Sequence, residues 1–180
     1  MRAEIGQEHR YAHCVRVARC AEILARRHGA DPKKARLAGM LHDLARLYSP
    51  QRLLQECRAR GMPVDDLELA EPVLLHARLG AELARERFGV DDPAVLSAIA
   101  KHTHGDGEMS PLDCAVYLAD GLEPGRNFPE REALWRLAQH DLTAAMRGTL
   151  SSMIGYLQKR GLPVAPQAVA AARSFGVWLN

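Results

Sequence analysis

Four dipeptides punctuate this chain in the same way: Asp31-Pro32, Ser49-Pro50, Asp92-Pro93 and Ser110-Pro111. In each, a short side chain with an acceptor oxygen precedes a proline. The acceptor caps free N–H groups of a helical first turn, and proline there lacks only an N–H that has no intrahelical partner. Each pair therefore predicts a helix start, and apolar residues follow at three- and four-residue spacing. A first helix is expected from about Glu8 to His28, stopped by Gly29. A second runs from Pro32 through Leu47, a third from Pro50 to near Gly61, and a fourth from Pro72 to Phe88, closed by Gly89. A fifth spans Pro93 to about His102 and a sixth Pro111 through Asp120, with "HTHGDGEMS" and "GLEPGRNFP" as loops. Two more helices are expected near Glu130–Gln139 and Asp141–Arg160, then a short one after Pro166. No alternating run of β-branched residues competes. The fold class is all-α, and without a repeat or linker residues 1–180 are expected to form a single domain.

Charge narrows the function classes. The 24 basic and 22 acidic residues leave a net +2, whereas dedicated nucleic-acid or membrane-surface binders carry a clear basic excess. No run has the length of a membrane span, and "MRAEIGQEHRYAH" lacks the apolar core of a signal peptide. The expected setting is the cytoplasm, with no nucleic acid and no membrane as partner. A local basic pocket for one anionic small molecule is still compatible. Cys14, Cys20, Cys57 and Cys114 form no CxxC pair and are expected to be reduced, packed thiols.

The stretch "AGMLHDLARLY", residues 38–48, sets a harder condition. His42 and Asp43 lie in an apolar run in which Leu37, Met40, Leu41, Leu44 and Leu47 recur at helical spacing. Aspartate is almost never buried without a partner. Other polar residues share such faces. His13 falls in the stripe His13, Val17, Cys20/Ala21, Leu24, and His76 stands one turn before Gly80. His102 ends the stripe Val95, Ile99, His102, and Asp120 continues Leu112/Asp113, Val116. His9, His28 and His140 lie among charged residues or near helix ends and read as surface histidines. Singly, each interior residue has an ordinary explanation: a histidine bonded to a carbonyl, or an aspartate paired with Arg16 or Arg36. Together they are six potential metal ligands on five predicted helices. An unpaired buried polar group costs about 1–3 kcal/mol, and a shared cation compensates all of them at once.

The order H…HD…H…H…D resembles the HD-domain superfamily of metal-dependent phosphohydrolases. More narrowly, "RYAH", "AGMLHDLAR", "LLHARLGAELA", "IAKHTHGDGEMSPLDCAVYLADGLEPGR" and "GLPVAPQAVAAARSF" resemble the bacterial YqeK family of symmetrical diadenosine tetraphosphate hydrolases. The resemblance runs from about Arg10 to Phe175. It implies an all-α HD-domain helical bundle whose segment 161–180 packs near the site. It also implies a dinuclear metal centre, with iron first and manganese second, since mixed imidazole and carboxylate ligands suit both. Carried over residue by residue, the ligands are His13, His42, Asp43, His76, His102 and Asp120. Asp43 bridges; His13, His42 and Asp120 complete one site, and His76 and His102 the other.

Asp43 and His76 are the expected catalytic residues, supporting a hydroxide held between the metals that cleaves the tetraphosphate to two ADP. Arg10, Arg46, Lys101 and Arg126 are the expected phosphate-binding cations, although a solvated helix face is the plain alternative for each arginine. Thr103 would offer its hydroxyl or N–H to a phosphate. Pro163 and Gln167 belong to a tail that would enclose the nucleoside. A homodimer is compatible with this reading. Three departures from the family pattern stand out. Arg46 replaces a common lysine, HTHG replaces HTTG, and Gln167 and Ser174 stand where threonine and asparagine are usual. His104 is read as near the site and noncatalytic. The rival readings are an HD-type phosphatase or phosphodiesterase on other nucleotides, a mixed-valent di-iron oxygenase, and a noncatalytic nucleotide-binding regulator.

Overall fold

The computed structural model describes residues 7–178. Among these are ten α-helices, one 3₁₀ turn and no strand. The helices are α1 (Glu8–Arg27), α2 (Pro32–Leu41), α3 (Pro50–Ala59) and α4 (Asp66–Ala70), followed by the 3₁₀ turn Pro72–Leu75. Then come α5 (His76–Phe88), α6 (Pro93–Lys101), α7 (Pro111–Leu122), α8 (Arg131–Ala138), α9 (Leu142–Lys159) and α10 (Pro166–Ser174). No described helix is long and apolar enough to cross a membrane.

All four expected caps are in place. Asp31 accepts from the N–H groups of Lys33 and Lys34, Ser49 from Arg52, and Asp92 from Ala94 and Val95. Ser110 accepts from Asp113, whose carboxylate returns to the Ser110 N–H. This reciprocal capping satisfies two orphan donors at the start of α7.

Helix α7 is the axis of the bundle. Leu112 through Ala119 are all buried, and a helix that is apolar all round must be covered on every side. Its Leu112, Val116 and Ala119 join a core with Val17 and Ala21 of α1, Leu41 of α2, Leu79 and Leu83 of α5, and Ile99 of α6. Its Cys114, Leu118 and Leu122 join a second core with Leu24 of α1, Leu134 of α8, and Met146 and Leu150 of α9. All four cysteines are free and buried, as the sequence indicated.

Helices α1 and α2 cross closely because small residues meet. A Cβ placed on Gly39 would lie 2.8 Å from Ala18 Cα and 3.0 Å from its nitrogen, both backbone atoms that cannot swing aside. Gly39→Ala is therefore expected to lower stability by about 1–3 kcal/mol through overpacking. Urea denaturation of metal-free protein measures this, and an unchanged midpoint would contradict the close crossing.

Three boundaries differ from the sequence reading. Helix α2 stops at Leu41 instead of continuing through Leu47. Beyond it the backbone tightens into turns, with Leu44 N–H bonded to Leu41 O and Arg46 N–H to Asp43 O, each three residues back. The apolar spacing ran on past the end, but Leu37 and Leu47 at its margins are more than two-fifths exposed. His42 and Asp43 thus lie just after a helix end, not inside one. The region after α3 contains α4, whose start carries a capping box from Asp65 and Glu68. The fourth predicted helix divides into the 3₁₀ turn and α5, so His76 is the first residue of α5. His28 is not a plain surface histidine: it is half-buried, with Nε2 2.6 Å from the carbonyl of Ala138.

Candidate functional site

The carboxyl ends of α2, α6 and α7, the first residue of α5 and the interior of α1 meet at one place. His13, His42, Asp43, His76 and His102 are buried there, and Asp120 is partly exposed. Their donor atoms form three overlapping groups, His13–His42–Asp43, His42–His102–Asp120 and Asp43–His76–His102, each with its atoms within 4.8 Å of one another.

The two oxygens of Asp43 address different neighbours. Oδ2 lies 3.9 Å from His13 Nε2 and 3.5 Å from His42 Nε2. Oδ1 lies 3.4 Å from His76 Nε2 and 3.9 Å from His102 Nε2. Asp120 Oδ1 closes the first set, 3.0 Å from His13 Nε2 and 3.7 Å from His42 Nε2. Thr103 Oγ1 stands over the second set, 3.3 Å from His76 Nε2 and 3.2 Å from His102 Nε2.

All four imidazoles are oriented from behind. His42 Nδ1 lies 2.8 Å from Gly39 O, His76 Nδ1 2.6 Å from Val73 O, and His102 Nδ1 2.7 Å from Ile99 O. In each the carbonyl belongs to the residue three positions earlier. His13 Nδ1 instead faces the Glu123 carboxylate at 3.0 Å. With Nδ1–H donating outward, every Nε2 presents a lone pair to the centre, the arrangement that fixes a metal-binding histidine in one tautomer.

Among the described residues those lone pairs have nothing suitable to meet. The Nε2 atoms of His13 and His42 are buried without a hydrogen-bond partner. His76 Nε2 and His102 Nε2 face each other at 3.1 Å, acceptor against acceptor, with only the Thr103 hydroxyl able to donate to one of them. A cation resolves both conflicts, and nitrogen with carboxylate oxygen is a donor set for a transition metal. The residues present therefore fit a metal centre.

Electrostatics agree for the second set. Burial pulls the pKa of His76 down to about 4 and that of His102 to about 3, so both imidazoles are neutral at pH 7. Burial also pulls on His13, but the carboxylates of Asp120 and Glu123 on either side of the ring outweigh it and leave the pKa raised. Burial would push the Asp120 carboxyl up. The neighbouring His13 and His42 rings and the Arg126 guanidinium instead hold it well below the usual carboxylate range.

The expected phosphate-binding residues divide into groups. Arg10 Nη1 lies 3.5 Å from Asp43 Oδ2, and Arg126 bonds both the carbonyl and the carboxylate of Asp120. Arg46 forms no hydrogen bond or ion pair with another described residue, yet its charge is felt at His76. Lys101 Nζ donates to Glu108 O at 2.6 Å and lies 3.8 Å from Asp113 Oδ2. There it lines a cavity of about 550 Å³ with Met109, Ser110 and Phe175. Pro163 is exposed and Gln167 half-buried at the start of α10. Farther along α10, Ala171 and Ala170 lie against Gly105 and Gly107 of the loop after Thr103. His104 is half-buried with Glu68, Asp65 and Arg78 as its charged neighbours. The suggested structural partners of a buried aspartate are engaged otherwise, Arg16 with Glu123 and Arg36 with Glu22.

Glu123 was not picked out from the sequence, nor were the three carbonyls. The signal for Glu123 was an acidic residue closing the apolar run Leu112–Leu122. It is 1% exposed and clamped by Arg16 and the Gly125 N–H, which hold its carboxyl at a pKa of about 2 against the effect of burial.

Residues 10–125 match the HD domain family. The chain is 38% identical over 159 residues to the symmetrical bis(5'-nucleosyl)-tetraphosphatase of Bacillus subtilis, covering 88% of this chain and 85% of that one. Its identity to the protein of the same name from Halalkalibacterium halodurans is also 38%, over 163 residues, 91% and 87% of the two chains. A crystal structure of an HD superfamily hydrolase from Clostridium acetobutylicum, described as involved in NAD metabolism, superposes with a TM-score of 0.92 at 32% identity. That match covers 97% of this chain and 92% of the other.

Proposed function

The chain belongs to the HD domain family and groups there with the symmetrical bis(5'-nucleosyl)-tetraphosphatases; from that premise we propose that it hydrolyses diadenosine tetraphosphate to two ADP at a dinuclear centre. The observation that carries the dinuclear reading is Asp43, whose two oxygens face separate pairs of imidazole nitrogens. His13, His42 and Asp120 would complete one metal site, and His76 and His102 the other. Iron is the first expectation for both and manganese the second. When bound, the pair supplies an activated water and Lewis-acid stabilisation of phosphate charge.

In the reaction, water adds to one of the two inner phosphorus atoms, the central bridging P–O bond breaks, and the second ADP leaves. The chain's own residues hold that segment in place. Arg10 and Arg126 already lie against ligand carboxylates, so they can meet phosphate oxygens at the rim of the centre. Thr103 Oγ1 stands beside His76 and His102, where its hydroxyl can donate to a phosphate oxygen. Arg46 has no competing partner among the described residues and adds charge on the His76 side. Such fixed cations and donors are the main protein contribution to phosphoryl transfer. The segment from Pro163 to Gln167 would enclose a nucleoside. Lys101 is kept as a long-range charge, because its ammonium is bonded to the Glu108 carbonyl. The enzyme so described is cytoplasmic and needs neither nucleic acid nor membrane.

The test is chromatography of products from diadenosine tetraphosphate with iron- or manganese-loaded protein. ADP alone is expected. ATP with AMP would overturn the symmetrical assignment, and tight ADP binding without turnover would favour a regulator. Arg126→Ala is expected to lower kcat/KM about 10²-fold, the scale for losing one donor to transition-state charge, with metal content unchanged. Loss of metal from a folded Arg126→Ala protein would place Arg126 in support of Asp120 instead.

A further inference from the structure

We propose that Glu123 is a positioning residue that makes the two halves of the centre unequal, so that the half containing His13 fills first. The proposal rests on the dinuclear reading above and concerns how this chain differentiates the two sites.

The geometry singles out one imidazole. His42, His76 and His102 lean on neutral main-chain carbonyls three residues back. His13 alone of the four leans on a carboxylate, Glu123 Oε1 at 3.0 Å. Its other nitrogen, Nε2, faces Asp120 Oδ1 at 3.0 Å. Asp120 and Glu123 are three residues apart at the end of α7, so one helix terminus brackets the ring with a ligand on one side and its support on the other. A charged acceptor draws the Nδ1 proton more strongly than a carbonyl does, which raises electron density at Nε2 and strengthens it as a ligand.

Glu123 is built for this place. It is 1% exposed, and Arg16 binds it with Nε on Oε2 and with Nη2 3.1 Å from Oε1. The N–H of Gly125 adds a third donor. Glycine at 125 leaves room for this pair as it stands: a Cβ there would lie 2.5 Å from Arg16 Nη2 and 2.8 Å from Glu123 Oε1, and both side chains would have to shift. Arg16 and Gly125 thus hold the carboxylate against His13 and compensate its burial. An Arg16–Glu123 pair serving only to join α1 to the end of α7 would not need an oxygen aimed at His13 Nδ1.

The halves also differ in the donors they offer. The His13 half has two imidazoles and two carboxylate oxygens, from Asp43 and Asp120. The His76 half has two imidazoles and one carboxylate oxygen, with the Thr103 hydroxyl alongside. Glu123 adds its support to the half that is already richer. The poorer half keeps more of its coordination free for a phosphate oxygen.

The test is a titration of metal-free protein with Zn²⁺, a diamagnetic probe, followed by calorimetry and by ¹⁵N resonances of labelled histidine. In the native chain two binding events of unequal affinity are expected, with His13 and His42 resonances shifting before those of His76 and His102. Glu123→Gln keeps the side-chain shape and an acceptor for Nδ1–H but removes the charge. It is expected to weaken the first event about 10–100-fold and leave the second unchanged. Arg16→Gln removes the guanidinium that holds the carboxylate on His13 and is expected to weaken the first event in the same direction, with the second unchanged. Equal affinities in the native chain, His76 and His102 shifting first, or both events weakened alike by Glu123→Gln would each overturn the proposal. The native titration decides even if a variant does not fold. Binding of a single equivalent would instead defeat the dinuclear reading itself.

Discussion

Asp43→Ala is expected to release both metals and to lower kcat by at least about 10³-fold. The size follows from what is removed: bound metals stabilise transition-state charge by several kcal/mol, and each 1.4 kcal/mol is a factor of ten. Among the described residues Asp43 alone has oxygens within 4 Å of all four imidazole Nε2 atoms, so none of the others can substitute. Metal analysis alongside product chromatography measures both effects. Asp43→Asn preserves the shape and should fail almost as completely, since a neutral amide cannot bridge two cations. An Asp43→Ala protein that kept two metals, or kept more than a tenth of its turnover, would contradict this role.

Chelation carries the second large effect. The buried Nε2 atoms of His13 and His42 have no hydrogen-bond partner, and those of His76 and His102 oppose each other at 3.1 Å. Metal binding removes both conflicts in the folded state only, so it should stabilise the fold by mass action. With free metal about 1,000-fold above Kd, one site contributes about 4 kcal/mol. For a chain of this size that corresponds to a fall in Tm of roughly 8–16 °C when a chelator strips the protein. Differential scanning calorimetry with and without chelator measures it. The shift should vanish in Asp43→Ala, which ties the thermal effect to the centre and not to a metal elsewhere. An equal chelator shift in both proteins would contradict the assignment.

How much of this was legible in the sequence depends on which physical signal carried it. Helix starts were plain wherever an aspartate or serine preceded proline, because cap and first turn are local. The end of α2 was not, since Leu44 and Leu47 kept the apolar spacing while the backbone had already tightened into turns. Nothing in that spacing reports a change from four-residue to three-residue hydrogen bonding. The short helix α4 was passed over although Asp65 and Glu68 form its capping box, because its five residues hold too little apolar periodicity to register.

The inward polar residues followed the same logic. His13, His76, His102 and Asp120 each continued an apolar stripe, so their direction was readable, whereas their convergence depends on how the helices cross. Lys101 shows the limit. It adjoins His102 in sequence, but neighbouring helical positions diverge by about 100°, and that its ammonium bonds the Glu108 carbonyl could not be read from spacing. Glu123 was missed because its partners, His13 and Arg16, stand 110 and 107 residues away. Only the fold brings them together.

The central claim is that two cations sit on either side of Asp43. Crystals grown without chelator, measured at the iron and manganese absorption edges, test it through anomalous difference maps. Two peaks roughly 3.5–4 Å apart, the usual spacing of a paired site, are expected. One should lie among His13, His42 and Asp120 and the other between His76 and His102. A single peak, or none within reach of Asp43, would contradict it.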